Sequence, residues 1–195
     1  ILKLIPKQAH PMDVLRTACS ALGTLEPETE ERDQYEIADR LLAAFPGILL
    51  YWYHFQHYQH EIDLETNQET LAVHFLHLLH GTTPDELHER ALDVSLILYA
   101  EHEFNASTFA ARVTAATLAD FYGAVTSAIA ALKGPLHGGA NEAAMALISR
   151  FNNAEEAEKG LKAMLARKEL VMGFGHRVYK ISDPRSDVIK KWAEK

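Results

Sequence analysis

Residues 67–84 read Asn67-Gln-Glu-Thr-Leu-Ala-Val-His-Phe-Leu-His-Leu-Leu-His-Gly81-Thr-Thr-Pro84. Asn67 can cap a helix that carries Leu71, Phe75, Leu76, Leu78 and Leu79. Gly81 is placed as its C′ residue, where the backbone turns left-handed without steric cost. Thr83-Pro84 starts the next helix at once, since proline suits a first helical position. The same grammar extends both ways. Upstream, Pro11 opens a helix over 11–25 with Val14, Leu15, Ala18, Leu22 and Leu25 on one face and Gly23 near its end. A second helix is expected over about 28–45, with Glu28, Glu30 and Glu31 in its first turn and Pro46 as its stop. Downstream, helices are expected over about 84–99, 108–118, 121–132, 140–151 and 154–167, followed by a short irregular or extended segment, 170–180. Ser182-Asp-Pro-Arg185 then caps a last helix. Ten glycines and seven prolines fall between stretches whose apolar period is about 3.6 residues, and the fold class is all-α.

Composition narrows the function classes. The 195 residues are 48% hydrophobic and 24% charged, an ordinary globular mix that disfavours disorder, collagen and coiled coil. Nineteen Lys and Arg stand against 27 Asp and Glu, a formal charge of −8, so nucleic-acid binding is not expected. The lone Cys19 cannot form an internal disulfide, which points to a reduced, cytoplasmic setting. Residues 41–60 contain no Asp, Glu, Lys or Arg, yet Pro46, Gly47 and several His and Gln interrupt them. A buried helix pair is expected there rather than a membrane span. The chain begins without Met, lacks the features of a secretory signal, and stops at Trp192-Ala-Glu-Lys195 inside an amphipathic pattern. A segment of a longer protein is the expectation.

Eleven histidines are the outstanding component. His54, His57, His60 and His74, His77, His80 repeat every third residue. On a helix each such step turns about 300°, so three rings fan apart rather than converge on one ion. Metal binding is not expected, and hydrogen bonding within or beside the core is. Glycine placement is more telling. Gly134, Gly138 and Gly139 flank His137, and Gly173 and Gly175 precede His176, so both rings sit where the backbone can approach a ligand closely. His137 stands just before a helix, whose positive end disfavours imidazolium; a neutral ring can donate to a developing oxyanion. Arg185 has a planar fork suited to a carboxylate. Gly173-Phe-Gly alone, without a strand-turn-helix unit, does not make a dinucleotide site. No G-x-S-x-G is present, and Cys19 has no activating partner.

Gly134-Pro-Leu-His-Gly-Gly-Ala-Asn-Glu142 and Gly173-Phe-Gly-His-Arg-Val-Tyr-Lys180, followed by Asp183-Pro-Arg185, closely resemble the two histidine motifs of the citrate synthase family. Glu101-His-Glu-Phe-Asn-Ala-Ser-Thr108 is similar to its third signature and His10-Pro-Met-Asp13 to a fourth, in family order across essentially the whole chain. Asp120-Phe-Tyr-Gly-Ala-Val125 and Phe75-Leu-His-Leu-Leu-His-Gly81 look most like the 2-methylcitrate synthases. The resemblance implies condensation of an acyl-CoA, propionyl-CoA favoured over acetyl-CoA, with oxaloacetate, then thioester hydrolysis. His137 matches the donor to the thioester carbonyl and His176 the group that polarises the ketone. His102 and Arg185 match oxaloacetate ligands. Asn105 lies in the third signature among the substrate-binding residues, without an assigned role. Val171, Gly173 and Gly175 match the segment that contacts the CoA adenine. Lys180 falls where a CoA phosphate can be met, and Lys168 joins it on charge alone. Coenzyme A is thus expected as part of a substrate, with no permanently bound cofactor. The resemblance further implies a large helical domain over 1–136, a smaller mobile domain from 137 to 195, a cleft between them, and a homodimer in which alanine-rich and neighbouring helices pack. The family's catalytic aspartate and further arginines have no counterpart within the chain, and Asp183 reads as a helix cap. The isolated 195 residues are therefore expected to be inactive, and a non-catalytic helical interaction module is the competing reading for them.

Overall fold

The structure, a computed structural model, describes residues 1–176 and 178–195. Among them it holds nine α-helices, a 3-10 turn at Leu2–Leu4 and no strand. The helices are α1 (Pro11–Leu25), α2 (Gln34–Tyr58), α3 (Leu71–His80), α4 (Glu86–Tyr99), α5 (Ala106–Ala115), α6 (Phe121–Leu132), α7 (Gly139–Ile148), α8 (Ala154–Ala166) and α9 (Pro184–Ala193). Local signals place most of their ends. α1 starts at Pro11, and the Nδ1 of His10 accepts the Met12 amide. Asn153 and Asp183 cap α8 and α9 through their side-chain oxygens, and Gly81 closes α3 at φ 72°.

Several boundaries differ from the sequence reading: α5 spans Ala106–Ala115 rather than 108–118, and α7 ends at Ile148 rather than 151. α3 is capped by Thr70, whose hydroxyl accepts the Val73 amide at 3.2 Å, rather than by Asn67. α4 is capped by Asp85, so Pro84 lies outside it. The larger correction concerns α2, which begins at Gln34 under an Asp33 cap and runs through Pro46 to Tyr58 as one helix. Pro46 neither stops a helix at 45 nor divides 41–60 into a pair. An interior proline costs about 3 kcal/mol. The continuous helix buries Ile37, Leu41, Leu50 and Trp52 to 3% exposure or less, and burying side chains of that size contributes about 1.5–3 kcal/mol each. Four such anchors, two on either side of Pro46, outweigh one lost hydrogen bond.

α1, α2 and α6 meet around a core of Cys19, Ile37, Leu41, Tyr122 and Ile129, with Met12, Leu15, Leu22, Phe45, Phe121 and Val125 packed against it. α5 lies along α6, α3 and α4 continue from α2, and α9 returns to pack on α4. Beyond α6 the buried apolar side chains are Leu147 and Met164. Two of the repeated histidines serve this framework. His54 Nε2 reaches the Leu78 carbonyl at 3.0 Å, and His74 Nδ1 meets the Thr66 hydroxyl at 2.6 Å. No group of three or more His, Cys, Asp or Glu among the described residues is arranged to hold a metal ion. No helix among them is long and apolar enough to cross a membrane.

A Cβ added at Gly23 would stand 2.8 Å from the Cβ of Tyr122, which is itself 1% exposed and has nowhere to move. Helix propensity alone favours alanine over glycine by about 1 kcal/mol, whereas overpacking a close-packed core costs about 1–3 kcal/mol. Gly23→Ala is therefore expected to lower the thermal midpoint, and calorimetry checks the sign.

Candidate functional site

Between α4 and α5 the chain makes a tight turn. Glu103 and Phe104 adopt φ of 31° and 28°, a left-handed conformation unusual for residues with a Cβ, and the Glu103 amide donates to the Glu101 carboxylate. Asn105 ends the turn as the α5 cap. Its Oδ1 accepts the Thr108 amide at 3.0 Å and the Ser107 hydroxyl at 2.7 Å. His102 is held at one side of this turn and Ser107 at the other.

The second part is the turn from α6 into α7. Gly139 donates its amide to the Gly134 carbonyl at 3.2 Å, and a Cβ on Gly139 would stand 2.5 Å from the Lys133 carbonyl oxygen, so only glycine allows this approach. Both flanks of the turn are tied to the start of α1. Lys133 Nζ meets Asp13 Oδ2 at 2.5 Å, and His10 Nε2 meets Glu142 Oε2 at 2.8 Å. Lys133 holds the Asp13 carboxyl below the usual carboxylate range. His137 sits between the two ties. Its Nε2 accepts the Ser107 amide at 3.2 Å, with the Ser107 hydroxyl 2.9 Å away. A backbone amide can only donate, so Nε2 carries no proton and the neutral ring keeps its proton on Nδ1. Burial, and next the neighbouring His102, push the His137 imidazolium below the usual histidine value. His137 is thus a neutral ring with a single N–H left for a ligand.

The third part comes from the segment before α9. His176 Nδ1 accepts the amides of Val178 and Tyr179 at 3.1 and 3.2 Å, which leaves the proton on Nε2. The His176 ring lies 5.3 Å from that of His102, whose buried Nε2 has no hydrogen-bond partner among the described residues. Arg185, in the first turn of α9, grips Asp183 through Nε to Oδ1 at 3.0 Å and Nη2 to Oδ2 at 2.7 Å. The hydrogen bonds hold the Asp183 carboxyl low and the Arg185 guanidinium high. Asp183 also caps α9, as its position before Pro184 implied. The guanidinium lies 5.8 Å from the ring centroids of both Tyr99 and Tyr179.

His102, His176 and Arg185 are thus brought together, with His137 beside His102. Asn105 uses its carbonyl oxygen to cap α5 and hold Ser107. Val171, Gly173 and Gly175 lie in the irregular segment that leads into His176, with Gly173 at φ 94° and packed towards Ala144, and Gly175 at φ 83°. Lys168, at φ 57°, and Lys180 are exposed. Ser107, Tyr99 and Tyr179 went unread in the sequence. Ser107 and Tyr179 lie inside the quoted signatures, and Tyr99 precedes His102 by three residues. The Arg177 position of the second histidine motif lies outside the described residues.

The whole chain, residues 1–195, matches the family described as citrate synthase, C-terminal domain. It is 58% identical over all 195 residues to a 2-methylcitrate synthase of Shewanella oneidensis and 44% identical to a citrate synthase of Heyndrickxia coagulans. The alignments cover 100% and 98% of this chain and 52% of each relative, so the chain spans about half the length of the curated relatives it matches. Among solved structures it is similar to the citrate synthase of Thermoplasma acidophilum in a ternary complex with carboxymethyl coenzyme A and oxaloacetate, with a TM-score of 0.87, 32% identity, and coverage of 99% of this chain and 51% of that one. It also resembles the Thermotoga maritima citrate synthase at a TM-score of 0.84 and 34% identity, with coverage of 99% and 51%.

Because the folded chain holds His137 neutral, the unfolded state binds the extra proton first as pH falls. The contribution of this ring to stability is complete above the usual histidine value and is lost as pH drops from there towards the depressed folded value. A nitrogen-15 histidine titration is expected to show the His137 ring protonating later than a free histidine, with the proton on Nδ1 before it does. Ser107→Pro, in the first turn where proline is tolerated, removes the amide donor and is expected to release that single tautomer. Ser107→Ala keeps the amide and the tautomer.

Proposed function

Since the chain belongs to the citrate synthase family, we propose that it supplies the histidine half of a site that condenses an acyl-CoA with oxaloacetate and hydrolyses the thioester, with propionyl-CoA favoured and 2-methylcitrate and CoA as products. The observation that carries the reading is the proton placement on two rings that both neighbour His102: His137 presents Nδ1–H and His176 presents Nε2–H, each fixed by backbone amides on its other nitrogen. An α-proton on a thioester is weakly acidic, and its removal is assisted by a donor to the forming oxyanion; the Nδ1–H of His137 takes that role. The Nε2–H of His176 polarises the oxaloacetate ketone. Arg185 and His102 receive the carboxylates, with Asn105 shaping the turn that holds them. Asp183 is committed to Arg185 and to the α9 cap, so the carboxylate base is another group.

Val171, Gly173 and Gly175 offer backbone to the CoA adenine, and the exposed Lys180 and Lys168 offer charge to its phosphates. We further assign residues 1–136 to a large domain and 137–195 to the start of a smaller one, supported by the concentration of buried side chains in the first part. A homodimer fits the exposed Met145 and Ile148 of α7 and Leu165 of α8. A cytoplasmic location belongs to the same reading.

The propionyl-CoA preference is supported by the 58% identity to a 2-methylcitrate synthase, and the acetyl-CoA alternative by the 44% identity to a citrate synthase. The acyl groups differ by one methylene, which a hydrophobic pocket discriminates by about 1–3 kcal/mol. The test substitutes this chain for the matched segment of the Shewanella enzyme and measures CoA release. A higher kcat/KM for propionyl-CoA than for acetyl-CoA is expected, with His137→Gln and His176→Gln each lowering kcat at least 100-fold. A preference for acetyl-CoA overturns the substrate assignment, and full activity of both variants overturns the mechanism.

A further inference from the structure

Three of the side chains assigned to oxaloacetate meet one ring that has no part in that assignment. The Tyr179 centroid lies 4.8 Å from the His176 ring, tilted by 31°, and 5.4 Å from the His102 ring, edge-on at 85°. The Arg185 guanidinium carbon lies 5.8 Å from the same centroid. The backbone amide of Tyr179 is one of the two that fix the His176 tautomer. From this convergence we propose that Tyr179 is a positioning residue, a hub that holds the His176 and His102 rings and the Arg185 fork in register for a dicarboxylic keto acid.

The need for a hub follows from the segment itself. His176 lies in an irregular stretch with no helix to restrain it. The torsion that spins an imidazole about its own axis is broad, so two hydrogen bonds on Nδ1 leave the ring free to tilt about them. A flat ring at 4.8 Å removes that freedom. The same ring offers its electron-rich face to the guanidinium. Arg185 is then gripped along one edge by Asp183 and faced by Tyr99 and Tyr179, which leaves its remaining N–H groups to the ligand. None of these contacts uses the Tyr179 hydroxyl, so the aromatic face is the working part.

The proposal rests on the oxaloacetate reading for its ligand but not for its geometry, and the test separates the two. Histidine-labelled protein carrying Tyr179→Phe, Tyr179→Leu or Tyr179→Met is examined by NMR for the proton–proton contact between the His176 and His102 rings, and oxaloacetate binding is measured by calorimetry. The Phe variant is expected to keep the ring contact and to bind within twofold of the parent. Leu and Met, which lack the face, are expected to lose the contact and to bind at least tenfold more weakly. Met is unbranched and adapts to an irregular gap, so it supplies the result if the Leu variant does not fold. Retention of the ring contact in a folded Leu or Met variant overturns the hub. If the parent protein does not bind oxaloacetate, the ligand reading falls, and the ring contact alone decides the hub.

Discussion

The placement of His137 depends on one steric constraint: the backbone of Gly139 passes so close to the Lys133 carbonyl that no side chain fits between them. That approach forms the turn between α6, which is packed in the core, and α7, which is not. It would be a loose turn if left alone. The ties from its flanks to the first turn of α1, Lys133 to Asp13 and Glu142 to His10, fasten it to a helix that the core already holds. Partly exposed polar ties of this kind contribute little stability singly, so their value here is geometric. Two of them, on opposite sides of a six-residue turn, restrict where His137 can point.

The protein then places protons with main-chain amides. Ser107 on one ring, and Val178 and Tyr179 on the other, donate N–H groups that do not titrate and cannot flip. A carboxylate in the same position would hold the opposite tautomer and raise the imidazole pKa, encouraging imidazolium at neutral pH. An amide does neither. In a chain of net charge −8, donors that need no positive charge suit an anionic ligand, and Arg185 at the start of α9 brings a guanidinium already paired with Asp183.

What the sequence made legible was local. Proline at the start of α1, glycine after α3 and Asp183 before Pro184 each act within one turn, and each stands where the pattern put it. Local rules fail where distant contacts override them. Pro46 reads as a stop from its neighbours alone, and burial of Ile37 and Leu41 before it together with Leu50 and Trp52 after it carries α2 through. The site divides the same way. The glycines beside His137 and His176 are visible as a pattern, because close approach demands them. The partner of His137 is 30 residues away, and Tyr179 reaches His102 across 77 positions, so no periodicity announces either.

This division has a mechanical consequence. Among the described residues beyond 136 the buried apolar side chains are Leu147 and Met164, so the stretch that carries His176 and Arg185 has little core of its own. Its register with the preceding helices comes from α9 on α4, from the Glu142 tie to His10, and from aromatic and charged contacts at the site itself, Arg185 to Tyr99 and His176 to His102. Such contacts are individually weak and reversible. Removing an element from a packed core exposes apolar surface at about 25 cal/mol per Å², whereas shifting these polar and aromatic contacts exposes little. The side chains at the site are therefore among those that hold this stretch against the helices before it. A dicarboxylate bound by Arg185, His176 and His102 would add its own bonds to both sides of that boundary, which ties ligand binding to the geometry of the whole site.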